Sequence, residues 1–145
     1  MVQQNIDKII SNYLTKNIVF SEKNLLATKL SLLDTLGCIY NASTYEDPMR
    51  FATRGKYGSN TNPFLIINDM QSSKEITRYL SILTRWFDYN DTFLAKEWAH
   101  PSDNFGSIYS YFYKNDNYKF NDFANALTKA YEIQGSLCLG TSLNK

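Results

Sequence analysis

The chain has 145 residues, of which 43% are hydrophobic and 20% are charged, a balance typical of a soluble globular protein. Fifteen basic and fourteen acidic side chains leave a formal net charge of +1, which disfavours nucleic acid and anionic membranes as partners. No apolar run approaches the roughly 7–15 residues of a signal-peptide core or the roughly 18 of a membrane span. We therefore expect a cytoplasmic protein.

Two helices are predicted in the first part of the chain. Apolar residues at helical spacing predict the first helix over Asn5–Lys16, with a polar opposite face. Ser21 is positioned as the N-cap of a longer second helix. Apolar residues lie on two faces of this second helix: Leu26, Leu30, Leu33 and Gly37 on one, and Leu25, Leu32 and Leu36 on the other. A helix that is apolar on two faces is expected in the middle of a helical bundle.

The segment that follows is more irregular. Glu46–Pro48 predict the start of a short helix, with proline in its first turn, and Gly55 and Gly58 mark its end. The run Phe64–Ile67 indicates a short strand or an extended connector.

The next predicted helix begins at a capping-box pair and ends close to a cluster of polar residues. Ser72 and Glu75 have the capping-box spacing, and apolar residues behind them predict a helix that ends near Phe87 or Asp88. The residues from Tyr89 to Ser102 lose helical periodicity, so we expect a loop there.

Two further helices complete an all-α prediction. Ser102 is predicted to cap one and Asn121 to cap the last, with a polar linker over Lys114–Lys119 between them. The last helix runs into the polar tail Gly140–Lys145, where a further element is expected, so we expect a truncated chain.

The two cysteines do not form a metal motif. Cys38 and Cys138 lie far apart in the sequence, and no CxxC pair or Cys/His cluster is present. The sequence therefore predicts neither a zinc site nor an iron–sulfur cluster, and two buried thiols are the simpler interpretation.

The loop between the fourth and fifth predicted helices carries the candidate chemistry. Six titratable side chains lie among aromatic residues there, and one of them is the only histidine in the chain. They are Asp88, Asp91, Lys96, Glu97, His100 and Asp103. This composition indicates a half-buried polar pocket with shifted pKa values, although aspartates after a helix are often turn residues and a single histidine is often structural.

Other motif-based sites can be excluded. Asp88 and Asn90 begin like a calcium-binding loop, but Thr92 and Phe93 occupy the positions of a ligand and of the required glycine. No glycine-rich phosphate loop, GxSxG turn or HExxH helix is present.

Four segments resemble successive motifs of one enzyme family. They are Leu32–Cys38 (LLDTLGC), Arg85–Thr92 (RWFDYNDT), Glu97–Asn104 (EWAHPSDN) and Lys129–Gly135 (KAYEIQG). Their residues and their order along the chain are similar to those of the motifs in 2-methylcitrate dehydratases of the MmgE/PrpD family. Each motif is weak alone, but together they cover most of the chain.

The resemblance implies a two-domain enzyme that works without a metal or another cofactor. Its large helical domain would be closed by a smaller α/β domain, and residues 1–145 would form the amino-terminal part of the helical domain. The remainder of the helical domain and the α/β domain would be absent. The basic residues and the second histidine that complete family sites would also lie outside this sequence. We therefore expect either a homo-oligomer or a complementing polypeptide as a partner.

The resemblance also implies a chemistry for the loop. In the family reaction 2-methylcitrate loses water, so a base must remove a proton beside a carboxylate while an acid assists the departing hydroxide. By resemblance Asp88 and His100 are the predicted catalytic residues, without an assignment of acid and base. Asp91, Thr92 and Lys96 are the predicted substrate-binding residues. A tricarboxylate requires cationic contacts, and in this loop only Lys96 and a protonated His100 could supply them.

Two alternatives remain open from the sequence. A related decarboxylase of cis-aconitate uses the same scaffold, although the motif Glu97–Asn104 resembles the dehydratase branch more closely. The other alternative is a non-catalytic helical remnant or an interaction module that pairs with a second polypeptide.

Overall fold

The computed structural model describes residues 5–115 and 117–140, and this part of the chain is mostly helical. Its α-helices are α1 (Ile6–Thr15), α2 (Glu22–Ser43), α3 (Glu46–Thr53), α4 (Pro63–Ile66), α5 (Ser73–Arg85), α6 (Phe105–Tyr113) and α7 (Phe120–Gly140). Short 3-10 helices cover Ile67–Asp69 and Pro101–Asn104. The strands β1 (Phe93–Leu94) and β2 (Trp98–Ala99) form a small antiparallel hairpin. The all-α prediction is confirmed.

Helix α5 lies at the centre of the core. It packs against α6, α2 and α3, and its Tyr79 and Leu80 side chains are fully buried. Each large apolar side chain buried in this way contributes about 1.5–3 kcal/mol to folding relative to an exposed one. Gly106 allows α6 to approach α5 closely, because a Cβ atom there would lie 2.9 Å from the Thr77 carbonyl oxygen. None of the described helices combines the length and apolar character needed to cross a bilayer.

Two of the four predicted N-caps, Ser21 and Ser72, are confirmed. The Ser21 hydroxyl accepts the Asn24 N–H at 3.2 Å, and the Ser72 hydroxyl accepts the Glu75 N–H at 3.2 Å. The Glu75 carboxylate accepts the Gln71 N–H in return, one residue earlier than in the standard capping box. These bonds satisfy amide groups that have no partner inside the helix.

The strand or connector predicted at Phe64–Ile67 is wrong. The segment forms α4 and the following 3-10 turn. The Asn62 side chain accepts the Phe64 N–H at 3.0 Å, and Pro63 occupies the first helical turn, so this short helix has both a cap and a favourable first residue. Its last residues are buried in the core, which compensates for their β-branched side chains.

Three predicted helix boundaries are also wrong. Helix α5 ends at Arg85, before the predicted Phe87 or Asp88. Ser102 does not cap α6, because a 3-10 turn intervenes and the Ser102 hydroxyl accepts a bond from Asn90 instead. Helix α7 begins before Asn121, where the Asp122 carboxylate accepts the Lys119 N–H at 2.8 Å. The predicted tail beyond residue 140 lies outside the described residues.

The prediction that the second helix is buried on both faces is wrong for this chain. Thr35 and Ile39 lie on its buried face, whereas Leu26, Leu30 and Leu33 are 58%, 59% and 67% exposed. No described element covers these three leucines, so α2 presents an apolar stripe to solvent.

We expect the purified chain to bind a hydrophobic dye through this stripe. Replacing Leu30 by glutamate should reduce the dye fluorescence roughly twofold, with a melting temperature changed by little, because the side chain is already exposed. Lys29→Gln is the matched control on the same helix and should leave dye binding unchanged. Absence of dye binding by the wild-type chain would contradict an accessible stripe.

Candidate active site

The four sequence motifs meet at one end of the fold. The end of α5 leads into the loop that contains the β1–β2 hairpin, and this loop packs against α7. Cys38 of α2 faces the same region, since the Asp91 carboxylate contributes to the raised pKa of its thiol, after burial and Asp34. Segments separated by almost a hundred residues therefore build a single polar cluster.

Asp88 is held in an unusual backbone conformation. Its φ angle is 56°, in the left-handed region that few residues other than glycine, asparagine and aspartate adopt. The Asp88 N–H donates to the Arg85 carbonyl at 3.1 Å, and the Asp88 carboxylate lies 2.9 Å from the Arg85 guanidinium. The turn therefore directs the carboxylate back towards the end of α5.

Asn90 links both ends of the loop. Its side chain is only 2% exposed, and its Oδ1 atom accepts from Arg85 at 3.4 Å. Its Nδ2 group donates to the Ser102 hydroxyl at 2.7 Å and to the Asp103 carboxylate at 3.2 Å. Because both ends of this buried amide are bonded, Asn90 fixes the end of α5 relative to the turn that follows His100.

The His100 ring is buried and held by the Asp91–Thr92 segment. The side chain is 6% exposed, and its Nδ1 atom lies 2.8 Å from the Asp91 carbonyl oxygen and 3.4 Å from the Thr92 hydroxyl. The Asp91 carboxylate accepts the Ser102 N–H at 3.0 Å. The edge-on ring of Trp98 packs at a centroid distance of 5.3 Å.

The other ring nitrogen of His100 faces the Asp88 carboxylate. His100 Nε2 is buried without a hydrogen-bond partner among the described residues, and it lies 3.9 Å from Asp88 Oδ1. This distance is too long for a hydrogen bond but short enough for an ion pair when the imidazole is protonated. A buried imidazole nitrogen and a carboxylate oxygen thus face one another.

Helix α7 is the platform under this loop. Gln134 accepts from Asn104 at 2.6 Å, and the Cys138 carbonyl accepts the Glu97 N–H at 2.9 Å. Gly135 leaves room for the Phe93 ring, which would lie 3.1 Å from a Cβ atom at that position. Helix α7, including Gln134 and Gly135 of the fourth motif, therefore positions the third motif and the β1–β2 hairpin.

Tyr131 of the same helix contacts the Asp91 carboxylate. Burial raises the pKa of Tyr131 well above its usual value, and its contact with Asp91 raises that pKa further. The phenol therefore stays protonated and can donate a hydrogen bond to the carboxylate.

The structure brings together four of the five predicted site residues. Asp88, Asp91, Thr92 and His100 lie in the polar cluster, whereas Lys96 is at the exposed tip of the β1–β2 hairpin. In the described part of the chain Lys96 forms no ion pair within 4.0 Å. The predicted roles of all five remain predictions, while the two buried thiols, Cys38 and Cys138, are confirmed.

Sequence reasoning missed Arg85 and Asn90. Arg85 stands three residues before Asp88, a spacing at which side chains at a helix end can pair, and that spacing was the available signal. Asn90 carried no such signal, because its partners Ser102 and Asp103 are distant in the sequence.

Two large grooves border the polar cluster without reaching its titratable pair. They have volumes of about 870 and 740 Å³ and flank α1 and α7. Neither is lined by Asp88 or His100, and both are open, so we do not assign them a role in the chemistry.

Comparison with known proteins agrees with the motif pattern. The family model described as the MmgE/PrpD N-terminal domain matches residues 9–145. The chain is 30% identical to a probable 2-methylcitrate dehydratase of Saccharomyces cerevisiae, over 97% of this chain and 31% of that protein. It is 30% identical to the 2-methylcitrate dehydratase of Cupriavidus necator, over 94% of this chain and 31% of that protein. It is 31% identical to the 2-methylcitrate dehydratase of Escherichia coli, over 79% of this chain and 26% of that protein.

The matches cover 79–97% of this chain, but the chain spans less than a third of the length of these relatives. The family match extends over most of the sequence and includes all the motifs that form the polar cluster. The chain belongs to the MmgE/PrpD family.

Proposed function

We propose that this chain supplies the amino-terminal part of the helical domain of a 2-methylcitrate dehydratase. The remainder of that domain and an α/β domain would come from another segment or polypeptide. The observation that carries the proposal is the buried His100 Nε2 atom, which faces Asp88 and has no hydrogen-bond partner among the residues that the structure describes. The names of the relatives support the choice of substrate, and their greater length supports a need for further protein.

The proposed reaction is an elimination of water. A C–H bond beside a substrate carboxylate breaks, its electron pair forms the C=C bond, and the proton passes to a base. The C–O bond to the substrate hydroxyl breaks, and the departing hydroxide takes a proton from an acid to become water. Asp88 and His100 divide these two roles, because a carboxylate and an imidazole can exchange protons near neutral pH.

Charge limits what the described residues can do alone. A tricarboxylate needs cationic contacts to enter a partly desolvated site. Arg85 is the cation next to Asp88, and it is already paired with that carboxylate. Lys96 remains the proposed contact to substrate from the hairpin tip, together with the Thr92 hydroxyl beside His100. Further cationic groups would come from the complementing protein. The complete enzyme would be cytoplasmic.

We expect the purified chain alone to show no enzymatic dehydration of 2-methylcitrate. Addition of the missing part of a family enzyme should restore turnover, followed by the absorbance of the unsaturated product. The His100→Asn chain with the same addition is the control, and it should restore far less. Turnover by the chain alone would refute the need for a complement. A stable complex without turnover would favour the interaction module instead.

A further inference from the structure

We propose that Asp91 is a positioning residue that fixes the tautomer of His100, so that Nε2 is the only ring atom that exchanges protons with substrate. The chemical use of this arrangement rests on the proposed dehydratase function, but the arrangement itself can be tested without it. Asp91 thus has a positioning role, in place of the substrate contact that was predicted from the sequence.

The partner of His100 Nδ1 is the backbone carbonyl oxygen of Asp91. A carbonyl oxygen can only accept a hydrogen bond, so Nδ1 must carry a proton and donate it to Asp91 at 2.8 Å. The hydroxyl of Thr92, 3.4 Å from the same nitrogen, can accept as well. In the neutral ring the lone pair is therefore on Nε2. In the protonated ring Nδ1 keeps its proton, so the proton that is gained or lost is always the one on Nε2.

The carbonyl of Asp91 is held in place from both sides. Its own carboxylate accepts the Ser102 N–H at 3.0 Å, which ties residue 91 to the turn after His100. Asn90, immediately before it, is buried and bonded to both ends of the loop. Pro101 restricts the backbone of His100 to extended conformations, and the observed φ and ψ angles of −114° and 93° agree. The Nδ1 contact is therefore preorganised by the fold.

His100 Nε2, the other ring nitrogen, then lacks a hydrogen-bond donor among the described residues. In the neutral state two acceptors face one another across 3.9 Å, the Nε2 lone pair and Asp88 Oδ1. A buried acceptor without a donor is unfavourable, so the site favours a ligand that brings a proton donor between them. A substrate hydroxyl is such a donor.

Nitrogen-15 NMR of the wild-type chain tests the tautomer directly, because the chain contains one histidine. At a pH where the ring is neutral, we expect the Nδ1–H tautomer to exceed the other by about tenfold, the upper range for one hydrogen bond. The Nδ1 proton should also exchange slowly with solvent. A histidine in a short peptide gives the reference population. A predominant Nε2–H tautomer would overturn the proposal.

Variants of Asp91 test its positioning role. Asp91→Asn keeps an oxygen that can accept the Ser102 N–H and should retain the wild-type tautomer. Asp91→Ala removes that acceptor and should bring the population towards the peptide reference. Asp47→Ala makes the same change at an exposed carboxylate of α3, away from His100; it is the matched control and should change little. An unchanged population in folded Asp91→Ala would overturn the role of the carboxylate. If that variant does not fold, rapid exchange of the wild-type Nδ1 proton would overturn it instead.

Failure of this inference can be distinguished from failure of the proposed function. The NMR measurements use the chain without substrate or complement, so they report the ring alone. A complemented enzyme that does not dehydrate 2-methylcitrate, with the Nδ1–H tautomer present, would refute the function only. Dehydration with the opposite tautomer would refute the inference only.

Discussion

The His100→Asn variant, combined with the missing part of a family enzyme, should turn over roughly 10²–10⁴-fold more slowly than the wild type. Asparagine can still donate to the Asp91 carbonyl, but it has no group that gains or loses a proton near neutral pH. Folding stability should change little, because the hydrogen bond and much of the volume are kept. The measurement is turnover per folded molecule, with a thermal melt of each variant.

Asp88→Asn is the matched partner in a double-mutant cycle. Asparagine tolerates the left-handed backbone at this position, so the turn should persist while the charge is lost. If Asp88 and His100 act as one unit, the double variant should be hardly slower than the slower single variant. Near-normal turnover in folded His100→Asn, or rate losses that simply multiply, would refute the paired assignment.

Gly106→Ala should lower the free energy of unfolding by about 1–3 kcal/mol, the range for an overpacked core. The added Cβ atom would lie 2.8 Å from Ser81 Oγ, 2.9 Å from the Thr77 carbonyl oxygen and 3.2 Å from the Ser81 backbone nitrogen. The Ser81 hydroxyl can rotate away, but the two backbone atoms of α5 cannot. Urea denaturation of the purified chain measures the effect.

Gly37→Ala is the matched control in a helix without such a neighbour. No atom lies within 4 Å of a Cβ at this position, so alanine should raise the free energy of unfolding by about 0.5–1 kcal/mol. The two variants make the same chemical change in a helix, and only the packing differs. Equal effects in both would contradict the close approach of α6 to α5.

The family and the all-α class could be predicted from the sequence because both depend on local pattern. Helical spacing of apolar residues predicted α1, α2 and α5, and the hydroxyls of Ser21 and Ser72 identified where two of them begin. The motif residues were recognisable before their positions in space were known. Capping and periodicity involve residues within one or two turns, so the local sequence specifies them.

The arrangement of the polar cluster depended on contacts between distant segments. Asn90 meets Ser102, and Asn104 meets Gln134 thirty residues later, so no local pattern identifies either pair. The helix at Pro63–Ile66 was missed for the same reason, because burial outweighed the strand preference of its residues.

The sequence by itself determined the family, the helical class and the loop in which the titratable residues lie. Only the tertiary structure decided which of these residues meet: His100 is buried with Nε2 facing Asp88, while Lys96 stays at an exposed tip. It also decided that Leu26, Leu30 and Leu33 on one face of α2 are exposed. The physical reason is that burial and hydrogen-bond partners depend on how separate elements pack, which the spacing of residues along one element does not record.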